Sequence, residues 1–264
     1  MSAATQARQA QLDRILDAQE PSQVLADELF AVVGLLESQP TLRNALSDLT
    51  APEEARQQLA AGVLAGQVSA AALAVVQAAA GLRWATSGAL VGALERQGVR
   101  TLLRSAQAAG QLDQVEEELF RFSRIVAADR DLRATLEDRA ANLAGRQQVI
   151  AELLARKASA ITVALAQRAV RATERTFELT LEAYLRLAAE QRRRAIAEVT
   201  VARPLTATQA DRLRTALSRQ VGREVSLQVS VDPAVLGGVR VKLGDEVIEG
   251  TVAGRLQAAE RELN

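Results

Sequence analysis

Val231-Asp-Pro-Ala-Val-Leu-Gly-Gly-Val-Arg-Val-Lys-Leu-Gly-Asp-Glu-Val-Ile-Glu-Gly-Thr251 breaks from the alanine-rich text before it and decides how the chain divides. It reads as an extended segment, a paired-glycine kink at Gly237-Gly238, a strand, a turn at Gly244-Asp245 and a second short strand entering a helix. Just upstream, Val225, Leu227, Val229 and Val231 alternate with Ser226, Gln228 and Ser230, the period of a strand. Ile196, Val199 and Val201 mark an earlier strand. Between the two, Thr206 and Gln209 have capping-box spacing and open a helix carrying Leu213 and Leu217, which Gly222 is placed to stop. Val239 and Val241 form a third strand, paired through the turn with Val247-Ile248. A last helix from about Val252 turns Leu256 and Leu263 inward. Residues 195–264 are therefore expected to fold as a small α+β unit.

Further upstream the chain repeats itself at an offset of 90 residues. The match is gap-free from Glu28-Leu29-Phe30, paired with Glu118-Leu119-Phe120, to Ala79, paired with Ala169; 19 of 52 positions are identical and 13 of those are not alanine. Alanine-rich composition does not explain that, so a small helical bundle has been duplicated. Leu42, Arg43, Leu46 and Asp48 pair with Leu132, Arg133, Leu136 and Asp138, and Arg56-Gln57-Gln58 with Arg146-Gln147-Gln148. Each copy reads as four or five amphipathic helices; Leu119, Phe122, Ile125 and Val126 fall at helical spacing, as do Val149, Ile150, Leu153 and Leu154. Pro21, Pro40 and Pro52 sit at helix starts or turns, and no proline occurs from 53 to 203. The stretch from Arg171 through Thr176, Leu179 and Tyr184 to Gln191 reads as one long helix leaving the bundle.

Composition narrows function. Lys plus Arg and Asp plus Glu number 32 each, so no net charge is available to hold a nucleic acid backbone. Cysteine and histidine are absent, which removes thiolate and imidazole nucleophiles, bases and metal ligands. Ser-Lys or paired-carboxylate chemistry stays formally open, but no catalytic, cofactor-binding or metal-binding residue is expected. The start lacks the basic and apolar regions of a signal peptide. Leu59 to Leu82 is apolar, but it is rich in alanine and glycine, and its counterpart in the second copy carries Arg156-Lys157, which is costly at mid-bilayer. It is expected to be a bundle segment and not a membrane span.

Three other features invite function and have a structural alternative. Gly237-Gly238 lacks the lysine and hydroxyl of a phosphate loop and suits a strand bulge. Glu116-Glu117-Glu118 point in different directions on a helix, which favours a solvated helix start over a metal site. Arg192-Arg193-Arg194 is either a helix end stabilised by its dipole or a docking patch for an acidic partner.

The C-terminal run resembles the signature of the δ subunit of F-type ATP synthase, the family that includes the mitochondrial oligomycin-sensitivity-conferring protein. Val231-Asp232-Pro233 with Leu236-Gly237-Gly238, Gly244-Asp245 and Arg255-Leu256 carries that resemblance, and Ala202-Arg203-Pro204-Leu205-Thr206 is similar to the family's entry into its C-terminal domain. Leu102-Leu103, Ala106 and Gly110-Gln111-Leu112 fit its first helix and turn, with Gly98 where an aromatic is usual and Glu249-Gly250-Thr251 replacing Asp-Gly-Ser. The resemblance covers residues from about 96 onward. The preceding copy is similar to the extra bundle of long actinobacterial forms.

A mainly α fold is implied, with two repeated helical bundles at 1–92 and 93–194 followed by a small C-terminal α+β domain at 195–264. The resemblance implies a non-catalytic stator subunit on the cytoplasmic side of the membrane, peripheral and without cofactors. Its partners would be the amphipathic N-terminal helices of the α subunits at the α3β3 head and the b subunit of the peripheral stalk. Leu103, Ala106, Ile161 and Leu165 are the candidate groove for an α-subunit helix, and filling the bundle core is the equal alternative. A helical adaptor unrelated to rotary ATPases, binding two copies of one partner, is the competing expectation.

Overall fold

The computed structural model describes residues 3–172, 176–193, 195–221, 225–232, 239–243 and 246–249. The chain divides into two compact units, Met1–Arg192 and Arg193–Asn264.

The first unit is helical, and its helices follow the 90-residue repeat. The first copy comprises α1 (Ala3–Asp17), α2 (Gln23–Ser38), α3 (Pro40–Ser47), α4 (Glu53–Leu64) and α5 (Ala70–Gly81). A 22-residue helix, α6 (Ser87–Ala108), follows, then α7 (Leu112–Ala128), α8 (Arg130–Glu137), α9 (Leu143–Leu154), α10 (Ala160–Ala169) and α11 (Phe177–Arg193). Adding 90 to the bounds of α3 and α4 gives those of α8 and α9. The same shift carries α1 onto residues 93–107, the C-terminal two-thirds of α6, and the start of α6 onto the start of α11. Thus α6 is both the last helix of one bundle and the first of the next, about 33 Å of continuous rod.

Local sequence sets the helix ends. Ser22, Ser69, Thr86 and Ser159 cap α2, α5, α6 and α10 by accepting a backbone N–H. Pro40 occupies the first turn of α3, where its missing N–H costs nothing. In the reverse turn after α4, Gly66 has φ 76°, and the equivalent residue after α9, Arg156, adopts φ 60°.

Packing yields two cores inside this unit. Leu12, Leu16, Leu29, Leu36, Leu46, Val75, Leu90 and Leu94 belong to the first, and Leu102, Leu103, Leu119, Phe122, Leu136, Ile150, Leu165 and Leu181 to the second. The transition lies within α6, between Leu94 and Val99. The expected 92/93 division falls inside this helix.

Two expectations change here. The 171–191 stretch is not one helix: α10 ends at Ala169, and α11 begins at Phe177. Nor does α11 leave the bundle, because Phe177, Leu181, Tyr184 and Ala188 are buried in the second core. Leu59 to Leu82 is likewise two helices joined by a turn, and among the described residues no helix is long and apolar enough to cross a membrane.

The second unit contains β1 (Ala195–Val201), α12 (Ala207–Val221), β2 (Val225–Val231), β3 (Val239–Leu243) and β4 (Glu246–Glu249) in a sheet of order β2-β1-β3-β4. β1 runs parallel to β2, from Ala195 opposite Val225 to Val201 opposite Val231, and antiparallel to β3. The parallel pair needs a crossover, and α12 supplies it. The capping box forms as its spacing demands: Gln209 N–H donates to Thr206 Oγ1, and Thr206 N–H to Gln209 Oε1. Ala197, Val199, Val201, Val225, Leu227, Val241 and Leu217 make the core. Val229 and Val231 are 43% and 49% exposed, so burial along β2 stops after Leu227 although the alternation continues. Gly222, Gly237-Gly238, Gly244-Asp245 and the last expected helix lie outside the described residues.

Candidate functional site

The candidate site is the surface and framework of the duplicated unit. Identical residues at the two repeat positions hold identical joints. Arg56 on α4 is buried and donates to the Ala80 and Gly81 carbonyls at the end of α5, both at 2.8 Å, and to those of Asp48 and Ala51. Arg146 does the same in the second copy, donating to Leu136 O and Val170 O at 3.1 and 3.2 Å. A guanidinium at a helix C-terminus satisfies carbonyls that lack intrahelical partners and complements the dipole. The neighbouring glutamines clasp the same helix pair through Gln77 Nε2 to Gln57 O and Gln167 Nε2 to Gln147 O.

Glu28 and Glu118 form the other repeated joint. Glu28 accepts from the Ser69 N–H and hydroxyl at the start of α5, and Glu118 from the Ser159 N–H and Thr162 hydroxyl at the start of α10. A carboxylate there meets orphan N–H groups and the positive end of the dipole. Burial pushes the Glu118 carboxyl up, but the Thr162, Ser159 and Gln114 hydrogen bonds prevail and hold it below its ordinary range. Of the three consecutive acids, this one has a structural task. Glu116 pairs with Arg192 at 3.4 Å, which gives the first arginine of 192–194 an intramolecular partner. Among the described residues no cluster of metal-ligating side chains occurs.

The link between the copies rests on two acids, Asp13 and Asp17, that the second copy does not repeat. Along α6, Arg96, Gln97, Arg100 and Arg104 grip the C-terminal half of α1. Arg96 and Gln97 donate to Asp13, and Arg100 reaches Asp13 at 2.9 Å and Asp17 at 3.0 Å. Arg104 donates to the Leu16, Asp17 and Gln19 carbonyls at the end of α1. Burial raises the Asp13 carboxyl, and the Arg100 and Arg96 charges with the Gln97 amide outweigh it, so its pKa lies below the ordinary value. Their positions in the second copy carry Leu103 for Asp13 and Gln107 for Asp17; there Gln107 hydrogen-bonds Gln191 of α11.

One stripe of α2 faces the second copy. Ala26 is buried in the second core and Phe30 packs against it. The Phe30 ring stands over Gly98, where an added Cβ would lie 2.4 Å from a ring carbon. Only glycine leaves room for that ring. The ring that Gly98 lacks is thus supplied from the first copy. Arg168 of α10 covers the other side, its guanidinium 4.5 Å from the ring centroid, and pairs with Glu95, which also accepts from the Tyr184 hydroxyl at 3.2 Å. Arg171 reaches Glu37 farther along the stripe at 3.2 Å. Four helices, α2, α6, α10 and α11, meet at this junction.

Three of the four candidate groove residues, Leu103, Ala106 and Leu165, are buried in the second core, and Ile161 is half-buried against it. Leu103 and Ala106 lie on α6, and Ile161 and Leu165 on α10. The exposed apolar residues of this copy lie elsewhere: Phe120 and Ile125 on α7, Leu153 on α9 and Leu179 on α11. Sequence reading missed the Glu28 and Glu118 joints although a signal existed, because Glu and Ser recur 41 residues apart in both copies. Glu95, Arg168 and Phe30 had no such signal.

Comparison with known proteins places these observations. The family model described as "ATP synthase delta (OSCP) subunit" matches residues 99–263. It begins where α6 enters the second core. Relatives described as "ATP synthase subunit delta" extend over the first copy as well. That of Streptomyces avermitilis is 43% identical over 262 residues, covering 98% of this chain and 96% of its own. That of Nocardia farcinica is 39% identical, covering 99% and 97%, and that of a Parafrankia species 45% identical, covering 90% and 86%.

Proposed function

The chain belongs to the ATP synthase delta (OSCP) subunit family, and from that premise we propose that it is the non-catalytic stator element tying the α3β3 head to the b subunit of the peripheral stalk. It works on the cytoplasmic side of the membrane as a peripheral part of the complex. The work is mechanical. As the rotor turns, the head experiences torque, and ATP is made only if the head is held still. A stator part must transmit that load without yielding, and the observation that carries this reading is the single helix α6 running through both cores with its flanking helices fastened to it by buried groups. Close-packed interiors transmit strain because they have few voids to collapse into.

In this reading residues 93–194 engage an α-subunit N-terminal helix near α6 and α10. Ile161 offers surface there, and Leu103, Ala106 and Leu165 shape the floor beneath it. Residues 195–264 take the b subunit, and residues 1–92 brace the second bundle through Phe30, Arg168 and the α1–α6 seam. Synthesis itself occurs elsewhere in the complex. An adaptor unrelated to rotary ATPases is incompatible with family membership.

A chain ending at Arg193 is expected to keep binding the α subunit and lose the b subunit in pull-downs with purified partners. Normal capture of b by that chain would overturn the assignment of the C-terminal unit. Ile161→Glu should weaken α-subunit binding at least tenfold, more than its cost to thermal stability accounts for; equal binding would move the α site elsewhere.

A further inference from the structure

The duplication shows what covers a given stripe in one copy and leaves the same stripe open in the other. On α2 the stripe is Ala26, Phe30, Gly34 and Glu37, and the second copy covers it: Ala26 is buried, Phe30 lies between Gly98 and Arg168, and Arg171 meets Gly34 and Glu37. Ninety residues on, α7 carries Glu116, Phe120, Arg124 and Ala127. Phe120 is 55% exposed and Arg124 and Ala127 are exposed; the same outward face adds Arg121 and Ile125, the latter 57% exposed. Like the first stripe it offers a phenylalanine. Its charge is opposite: where α2 has Glu37 to receive Arg171, which follows α10, α7 has Arg124 and Arg121 beside the ring, the latter also paired with Glu117 one turn back on its own helix.

We infer that this face of α7 docks an acidic amphipathic helix from another subunit of the complex, with apolar side chains on Phe120 and Ile125 and carboxylates on Arg121 and Arg124. A face built by duplication keeps the shape that accepts a packed helix, and a phenylalanine flanked by arginines has the composition of an interface hot spot. Reversing the charge selects carboxylates where the first copy selects guanidiniums, and excludes a second copy of the α10 end by like-charge repulsion. The inference does not depend on which subunit supplies the helix, and it concerns a face separate from the Ile161 surface.

The test is a benzoylphenylalanine photo-crosslinker at position 120, and separately at 125, in the assembled ATP synthase, with adducts mapped by mass spectrometry. The expected adduct joins either position to a helical segment of another subunit bearing Asp or Glu within one turn of the cross-linked residue. Arg121→Glu with Arg124→Glu should lower its yield at least tenfold while the chain remains in the complex and its melting temperature is unchanged. An adduct to residues 195–264 of the same chain, to a second copy of the chain, or to an uncharged segment overturns the inference. So does absence of adducts at both positions in a complex that contains the chain. Loss of the chain from the complex before any labelling would instead count against the stator reading.

Discussion

Phe30 and Phe120 occupy the same place in two copies of one bundle, and one is packed between two helices while the other is 55% exposed. Their neighbours explain the difference. Gly98 makes room for the first ring, whereas its counterpart in the second copy is Ala188, buried in the second core. More generally, the groups retained in both copies, Arg56 and Arg146, Glu28 and Glu118, Gln77 and Gln167, all close joints inside a bundle. The groups that diverged, Asp13 against Leu103 and Glu95 against Leu185, are those that meet the other copy or the second bundle's core. Duplication preserved the scaffold and freed its surface to become an internal interface in one copy while the same face stays exposed in the other.

The largest test of this comparison lies in the shared core. Leu29→Ala and Leu119→Ala remove equivalent side chains, both fully buried, and each should cost about 3 kcal/mol in chemical denaturation. A cost confined to one copy would mean the cores are not equivalent. Next comes the arginine joint: Arg56→Met and Arg146→Met each strand buried carbonyls, at about 1–3 kcal/mol. Arg56 should cost more, since its guanidinium serves four carbonyls and that of Arg146 serves two.

The phenylalanines should differ most in ratio. Phe30→Ala should cost about 2 kcal/mol, less than a fully buried ring, and Phe120→Ala under about 0.5 kcal/mol. Equal costs would break the asymmetry. A smaller effect comes from acid. Because the Asp13 carboxyl is held below its ordinary value of 3.8 in the folded chain, its stabilisation is complete above that value and is lost as pH falls through the lower folded one. Asp13→Asn should therefore flatten the acid limb of a melting-temperature profile, while Leu103→Met, at the equivalent site, should leave its slope unchanged.

Much of the first unit was legible because helical period and duplication report the same elements. The α2 to α5 series, Pro40 at a helix start and the Thr206 capping box all follow from local chemistry. The separate start of α11 was not legible: Arg171 to Gln191 keeps a helical composition without proline or glycine, whereas the helix begins only at Phe177, and Phe177, Leu181 and Tyr184 pack into the second core. The α1–α6 seam was hidden for another reason. Its partners lie more than 80 residues apart and, unlike Glu28 and Ser69, do not recur in the second copy. On the sheet, alternation told which face Val229 and Val231 occupy, but burial depends on how far α12 reaches along β2. For the four candidate residues on α6 and α10, sequence did not distinguish the half-buried Ile161 from Leu103, Ala106 and Leu165, which fill the core.

The stator role itself is tested most directly in membranes from cells whose chromosomal copy ends at Arg193, by measuring where the catalytic head is recovered and whether proton-driven ATP synthesis persists. The account predicts a head released into the soluble fraction, still hydrolysing ATP, with synthesis abolished. A head that stays on the membrane and makes ATP at the normal rate would contradict it.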